Sequence, residues 1–366
     1  MAGTVLITGA NGSLAIPAVA HLLRNYAGFT LILTVRNSAD SDVNTTRLRQ
    51  TIAQFPNAKT SIHQLDLANL PTVREFAGQV ALDVTTGKYP PLSAIICNAY
   101  YWNLLGNIEL TGDGYEKTLQ ASTLEPLPLS TLGVNHIAHV ALVLQLVGSF
   151  GPDGGRVVLF SSDAHWPGKN GLEKYPPTIP EDLELLIKPE ADVTKEKEGL
   201  AFQRYANSKL AITSWMYALN QRLENVSVQS AKAEFILKLA NTPKNPALSK
   251  ITAVALNPGS LTDSRSLRTN TPRKLAIMQR LILQPLGPVF HFLIPTMRTS
   301  ATAGADVIEL ALNPKYEGER GFFTLLEKDE SSPESRDESK QQKLWVESAQ
   351  WAGITSDNTA MGNALA

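Results

Sequence analysis

Cysteine is almost absent. Cys97 is the sole cysteine in 366 residues, so no internal disulfide can form, and a reducing compartment, the cytoplasm, is expected. Excess charge is absent as well. Lys and Arg number 33 against 34 Asp and Glu, which gives neither nucleic acid nor an anionic membrane an overall electrostatic reason to bind. No apolar run reaches the ~20 residues of a membrane-spanning helix. The longest, LILQPLGPVFHFLIP at 281–295, is interrupted by Pro285, Pro288 and Pro295. It reads as a flap or pocket wall, with peripheral lipid contact left open. At the N-terminus GTVLITGANG starts a strand almost at once, so no signal peptide is expected. With one cysteine, and with His136 and His139 read as packing or hydrogen-bonding groups, no metal set is expected.

What is present is an alternation. TVLIT, TLILTV, SIHQL, LSAIIC, RVVLFS and ITAVAL are short, continuous apolar runs, the signature of strands buried on both faces. The stretches between them suit helices at 13–25, 43–54, 69–82, 133–148 and 200–223. Strand and helix in alternation predict an α/β, Rossmann-type doubly wound parallel sheet in one domain over 1–325. Three insertions interrupt the rhythm, at 121–133, 163–199 and 225–250, and a substrate flap occupies 261–299. Residues 326–366 form a charged tail expected to end in a surface helix.

The first strand runs into VLITGANGSLA, a glycine turn that opens a helix. Gly9 can take positive φ and Gly12 allows close backbone approach, so Gly9, Asn11, Gly12, Ser13 and Leu14 form a cradle for a dinucleotide pyrophosphate. The second strand ends at Arg36, where NAD sites place an acid. A planar guanidinium there suits a 2′-phosphate, and NADP(H) is the expected cofactor, with Asp40 close by.

YANSK at 205–209 carries the chemistry. Leu200 to Leu223 contains neither Gly nor Pro, and Tyr205, Lys209, Ile212, Met216, Leu219 and Leu223 fall on one helical stripe. Tyr205 and Lys209 therefore share the inward face. A cation there needs a reason, because burying an unpaired ammonium is costly. A phenol with a pKa near 10 exchanges its proton poorly at neutral pH, and a neighbouring positive charge lowers that value.

These residues resemble the short-chain dehydrogenase/reductase family over most of 3–325, with retinol-dehydrogenase-like and protochlorophyllide-reductase-like members suggested by LGPVFHFLIP and the tail. TGANGSLA is similar to the family's cofactor turn. LDL at 65–67 resembles its adenine segment, which implies Asp66 and Leu67 as cofactor contacts. CNA at 97–99 resembles its NNAG segment and implies the same for Asn98 and Ala99. VNHIAH at 134–139 resembles its asparagine helix, here Asn135. FSSDAH resembles the end of its fifth strand, with the catalytic serine at Ser162. NPGSL resembles its Pro-Gly segment beside the nicotinamide, here Pro258 and Gly259. The resemblance implies Ser162, Tyr205, Lys209 and Asn135 as the catalytic set, with Tyr205 and Lys209 also touching the cofactor, and Asn135 holding a water that links the lysine to solvent.

The chain departs from the family pattern at several points. Ala15 replaces a glycine of the turn, Tyr100 replaces the glycine of NNAG, and Ser162 and Tyr205 stand 43 residues apart. Tyr100, Tyr101 and Trp102 after the fourth strand, Trp166 after the serine strand, and Phe290 in the flap suggest a bulky, largely apolar substrate. The expected function is NADPH-dependent reduction of a carbonyl on such a molecule, or oxidation of the matching alcohol. Two rivals stay open: a non-redox cyclase or isomerase on the same scaffold, and a non-catalytic NADP(H)-sensing protein.

Overall fold

The computed structural model describes residues 2–105, 108, 113–114, 133–189, 197–236, 248–362 and 365. Insertion 121–133, apart from Gly133, lies outside these, as do parts of the other two insertions. In the first half, β1 (Thr4–Ile7) leads to α1 (Ala15–Asn25), β2 (Thr30–Val35) to α2 (Val43–Ala53), and β3 (Lys59–Gln64) to α3 (Leu70–Thr85). After β4 (Leu92–Cys97), a π-helical turn at Gly133–Ile137 opens α4 (Ala138–Leu146). Then come β5 (Gly155–Phe160), the short α5 (Glu184–Ile187), the long α6 (Lys197–Ile236) and β6 (Ile251–Asn257). The C-terminal part contains β7 (Ser260–Leu261), α7 (Arg273–Met278), α8 (Gly287–Leu293), β8 (Met297–Arg298), α9 (Ser300–Leu312), β9 (Gly321–Thr324), β10 (Glu327–Lys328) and α10 (Glu338–Trp351).

The main sheet has eight strands in the order β10-β9-β6-β5-β4-β1-β2-β3, parallel except for β10. The apolar runs of β1, β2, β4, β5 and β6 are continuous because these strands feed two cores, whereas SIHQL, expected to be buried on both faces, begins in the edge strand β3, none of whose residues is fully buried. Leu6, Ile95, Val157 and Ala255 pack under α3, α4, α6 and α10. Val5, Ile7, Ile96, Val158 and Val254 pack under α1 and α9. Local signals set the helix starts: the Asp42 carboxylate accepts from the Thr45 amide at 2.7 Å, and the Asn69 side chain accepts from the Thr72 amide at 3.1 Å. Because β1 pairs with both β2 and β4, the chain winds outward in both directions from that seam. A crevice opens there beyond the carboxyl ends of the strands, which is where such sheets hold ligands.

Three features go beyond the sequence reading. The YANSK helix runs over Lys197–Ile236, past both ends of the expected 200–223. β9 and β10 extend the sheet past β6. The tail also needs correcting, for α10 is a surface helix on its outer side alone. Leu344 and Trp345 are fully buried, and the Trp345 ring stacks on Trp215 of α6 at 5.6 Å between centroids. The charged residues of α10 occupy one side of the helix, so a stretch that looks polar in composition still closes the core.

Candidate active site

A cavity of about 860 Å³ follows the crevice from the glycine turn to the flap. At one end is the expected cradle. Gly9 has φ +61°, and a Cβ on it would lie 2.9 Å from the Ala99 Cα, so the turn closes on the β4 loop only with glycine there. Asn98 braces this closure by donating from Nδ2 to the carbonyls of Thr8 at 2.9 Å and Gly9 at 3.1 Å. Thr8 Oγ1 accepts from the Ala99 amide at 2.9 Å. Ala15 fits without strain at 1% exposure. No side chain caps the start of α1. The Ile16 and Ala18 amides are taken by the Gly12 and Leu14 carbonyls, so the residues just ahead of the helix, Gly12, Ser13 and Leu14, line the cavity, at the positive end of the helix dipole.

Asn11, Gly12, Ser13, Leu14, Arg36, Asp66, Leu67, Asn98, Ala99, Pro258 and Gly259 all line the cavity. Arg36 is exposed at the end of β2. Asp40, the nearby acid, is instead 3.0 Å from Arg49 and does not line the cavity. The donor set therefore fits a dinucleotide with a further anionic group by Arg36: glycine turn, uncapped helix end, basic strand end.

At the other end Ser162, Tyr205 and Lys209 converge. Ser162 sits where β5 ends. Its hydroxyl donates to Asp163 Oδ1 at 2.8 Å and accepts from the Ala164 amide at 3.2 Å. Its neighbour Ser161 is tied to Thr213 at 2.7 Å, which leaves Ser162 to bond Tyr205. Tyr205 is 9% exposed and its ring meets Trp102 edge-on at 4.8 Å. Lys209 Nζ donates to the Phe160 carbonyl at 2.9 Å and lies 5.5 Å from the ring centroids of both Tyr205 and Tyr100.

The electrostatics differ from the sequence expectation. Burial dominates, and pushes the Tyr205 phenol above its usual 10, aided by Tyr100 and Asp163 and opposed by the Ser162 hydrogen bond. Burial also brings the Lys209 ammonium down to about 7. The lysine does approach the tyrosine ring, but desolvation of the phenolate outweighs that approach here.

The other site candidates divide. Tyr100, Tyr101 and Trp102 line the cavity. Trp102 also donates from Nε1 to Thr271 Oγ1 at 2.9 Å, linking the β4 loop to the flap. Trp166 and Phe290 do not line it, correcting both expectations. Trp166 packs beside His165 and under the Lys169 ammonium, while Phe290 lies in the outer flap. The flap offers Leu275, Met278 and Leu283 to the cavity instead. Asn135 does not reach the cavity either. Its side chain donates to Ser208 Oγ at 3.0 Å and accepts from the Tyr101 amide at 3.1 Å, so it pins the β4 loop to α6. His136 and His139 are buried hydrogen-bonding groups, as expected, facing Ser348 and Thr8. Among the described residues no cluster could hold a metal ion.

Arg265 escaped the sequence reading. From the flap base it donates to the Asn11 carbonyl at 2.6 Å and to Ser13 Oγ at 3.1 Å, so it reaches the glycine turn 252 residues away. No local pattern signals a contact that only the folded flap creates.

Comparison with known proteins bears on this arrangement. A family profile described as AcuH dehydrogenase domain matches residues 265–361, the flap and tail. Dehydrogenase acuH of Aspergillus aculeatus is 48% identical over 92 residues, 25% of this chain and 94% of that protein. Short-chain dehydrogenase iccH of Talaromyces variabilis is 27% identical over 399 aligned positions, 98% of each chain. Retinol dehydrogenase 14 of Mus musculus is 27% identical over 360 positions, 96% of this chain and 86% of that one. With the serine, tyrosine and lysine gathered at one end of a dinucleotide-shaped crevice, the chain belongs to the short-chain dehydrogenase/reductase family of oxidoreductases.

Proposed function

We propose that the chain is an NADPH-dependent reductase of a carbonyl on a bulky, largely apolar small molecule, working in the cytoplasm, or a dehydrogenase of the matching alcohol with NADP+. One observation carries this reading: Ser162, Tyr205 and Lys209 meet in a cavity continuous with the glycine turn and Arg36. When bound, the nicotinamide supplies the hydride. Gly9, the start of α1 and Arg36 would hold the dinucleotide, with Arg265 closing over the turn from the flap.

The chain's own residues manage the proton. Ser162 orients the substrate oxygen, and Tyr205 donates its Oη proton to the developing alkoxide. A phenol whose pKa burial has raised stays protonated at neutral pH, which suits the reductive direction. The resulting phenolate is stabilised by the Lys209 ammonium, 5.5 Å from the ring centroid. Asn135 acts by positioning, through Tyr101 and Ser208.

A non-redox reading draws support from a second observation. Lys209 donates to the Phe160 carbonyl and lies as near to Tyr100 as to Tyr205. Thermal-shift titration with NADPH and NADH, followed by absorbance assays on apolar ketones and aldehydes, decides between the two. The reductase reading expects a larger shift with NADPH and oxidation of it by at least one ketone. NADPH protection with no oxidation across a broad panel would overturn it in favour of a cyclase, isomerase or sensor.

A further inference from the structure

The flap has two sides. Its inner side presents Leu275, Met278 and Leu283 to the cavity. Its outer side leaves Phe292 87%, Leu281 66%, Leu293 66% and Val289 54% exposed. Met278 belongs to both, lining the cavity while 37% exposed, so the apolar exterior continues into the cavity at its mouth. Contiguous apolar surface of this kind marks an interaction site rather than ordinary solvent-facing surface.

Charge identifies the occupant. Between Asp263 and Asp306 there is no carboxylate side chain, while six Lys and Arg fall in that stretch, on a chain whose net charge is −1. Arg265 is committed to the glycine turn and Arg298 to Asp306. Arg268, Arg273, Lys274 and Arg280 are exposed in the same stretch of chain as the apolar patch. Two copies meeting through this face would bring like charges together. A bilayer bearing anionic headgroups would not, since basic side chains at its surface are each worth about 1 kcal/mol while apolar ones enter the acyl boundary. Among the described residues no helix is long and apolar enough to cross a membrane, so the contact is interfacial.

We propose that the flap docks on an anionic lipid surface, seating Leu281, Phe292 and Leu293 below the headgroups and turning the cavity mouth at Met278 toward the lipid. An apolar substrate then reaches the cavity without crossing water; that consequence rests on the function proposed above, whereas the docking does not.

The test is co-sedimentation of the full chain, with NADPH present, with vesicles of phosphatidylcholine alone or mixed with phosphatidylserine. The mixed vesicles should pellet the protein at least tenfold more effectively. The L281S/F292S/L293S and R273E/K274E/R280E variants should each lose tenfold or more of that binding while keeping the wild-type melting temperature. Absence of pelleting on the mixed vesicles at low salt overturns the proposal, as does a concentration-dependent dimer that L281S/F292S/L293S dissolves. Vesicle binding by a chain that oxidises no NADPH supports the docking and removes the reductase; turnover of a water-soluble ketone without vesicle binding does the reverse.

Discussion

The glycine-turn region and the flap line the two ends of one cavity by opposite means. The cofactor end is built from strand termini whose side chains are held by buried hydrogen bonds, with Asn98 and Thr8 locking Gly9 against the β4 loop. The flap is built from short helices, α7 and α8, whose outer residues face solvent. A dinucleotide presents constant chemistry, so a fixed cradle serves it. A substrate must enter and leave, and a wall with few packing partners can move for it. The AcuH profile matches 265–361, flap and tail together, whereas iccH aligns over 98% of the chain at 27% identity.

The sharpest way to break this contrast is to truncate apolar side chains on either side of it. Trp345→Ala in the tail removes a fully buried ring stacked on Trp215, and a loss of about 3–5 kcal/mol in unfolding free energy is expected from denaturant titration. Phe292→Ser in the flap should leave stability within about 0.5 kcal/mol. Equal effects at both sites would show that the flap is packed after all.

Lys209 tests the end of the cavity where Ser162, Tyr205 and Lys209 converge. Its folded pKa, about 7, lies below the ordinary 10.5, so the unfolded chain binds that proton more readily across this window. Stability should rise with pH between about 7 and 10.5. Lys209→Met should therefore stabilise the protein, by on the order of 1–4 kcal/mol at pH 7, fading toward pH 10. A destabilised variant at pH 7 would show that the lysine is held by partners stronger than its burial.

The cofactor end is probed by Arg36→Ala. Loss of a charge-assisted contact of about 1.5–3 kcal/mol should weaken NADPH roughly 10- to 150-fold and leave NADH nearly unchanged, read by fluorescence titration. Equal loss for both would remove the 2′-phosphate assignment.

A smaller effect concerns the histidines. Burial holds His136 near 3 and His139 near 4, and lowers His165 as well. His165 donates from Nδ1 to the Ser162 carbonyl and accepts from the Ser332 amide at 3.0 Å, an arrangement only the neutral ring allows. The stability these groups hold above their unfolded pKa, about 6.5, should fall as the pH drops below it. A melting temperature constant from pH 7.5 to 5 would contradict their burial.

The cofactor end was legible in the sequence because its chemistry is local. The strand runs TLILTV and LSAIIC coincide with β2 and β4, the glycine turn, Tyr205 and Lys209 line the crevice, and so does Ser162, which the family resemblance and not its spacing singled out. The flap was less legible. Trp166 and Phe290 follow the right elements but point elsewhere, since adjacency in the chain does not fix a loop side chain's direction. Arg265 depends on a contact 252 residues away. β9 and β10 are four and two residues long and sit beside a charged tail, too short for periodicity to reveal.

The central claim is that Tyr205 supplies the proton at the hydride-accepting carbon's oxygen. The direct measurement pairs NADPH affinity with NADPH oxidation on one accepted ketone, in the wild type and in Tyr205→Phe. The account predicts affinity within threefold and a rate lower by about 10²- to 10⁴-fold. A variant that binds NADPH and keeps most of its rate would contradict it.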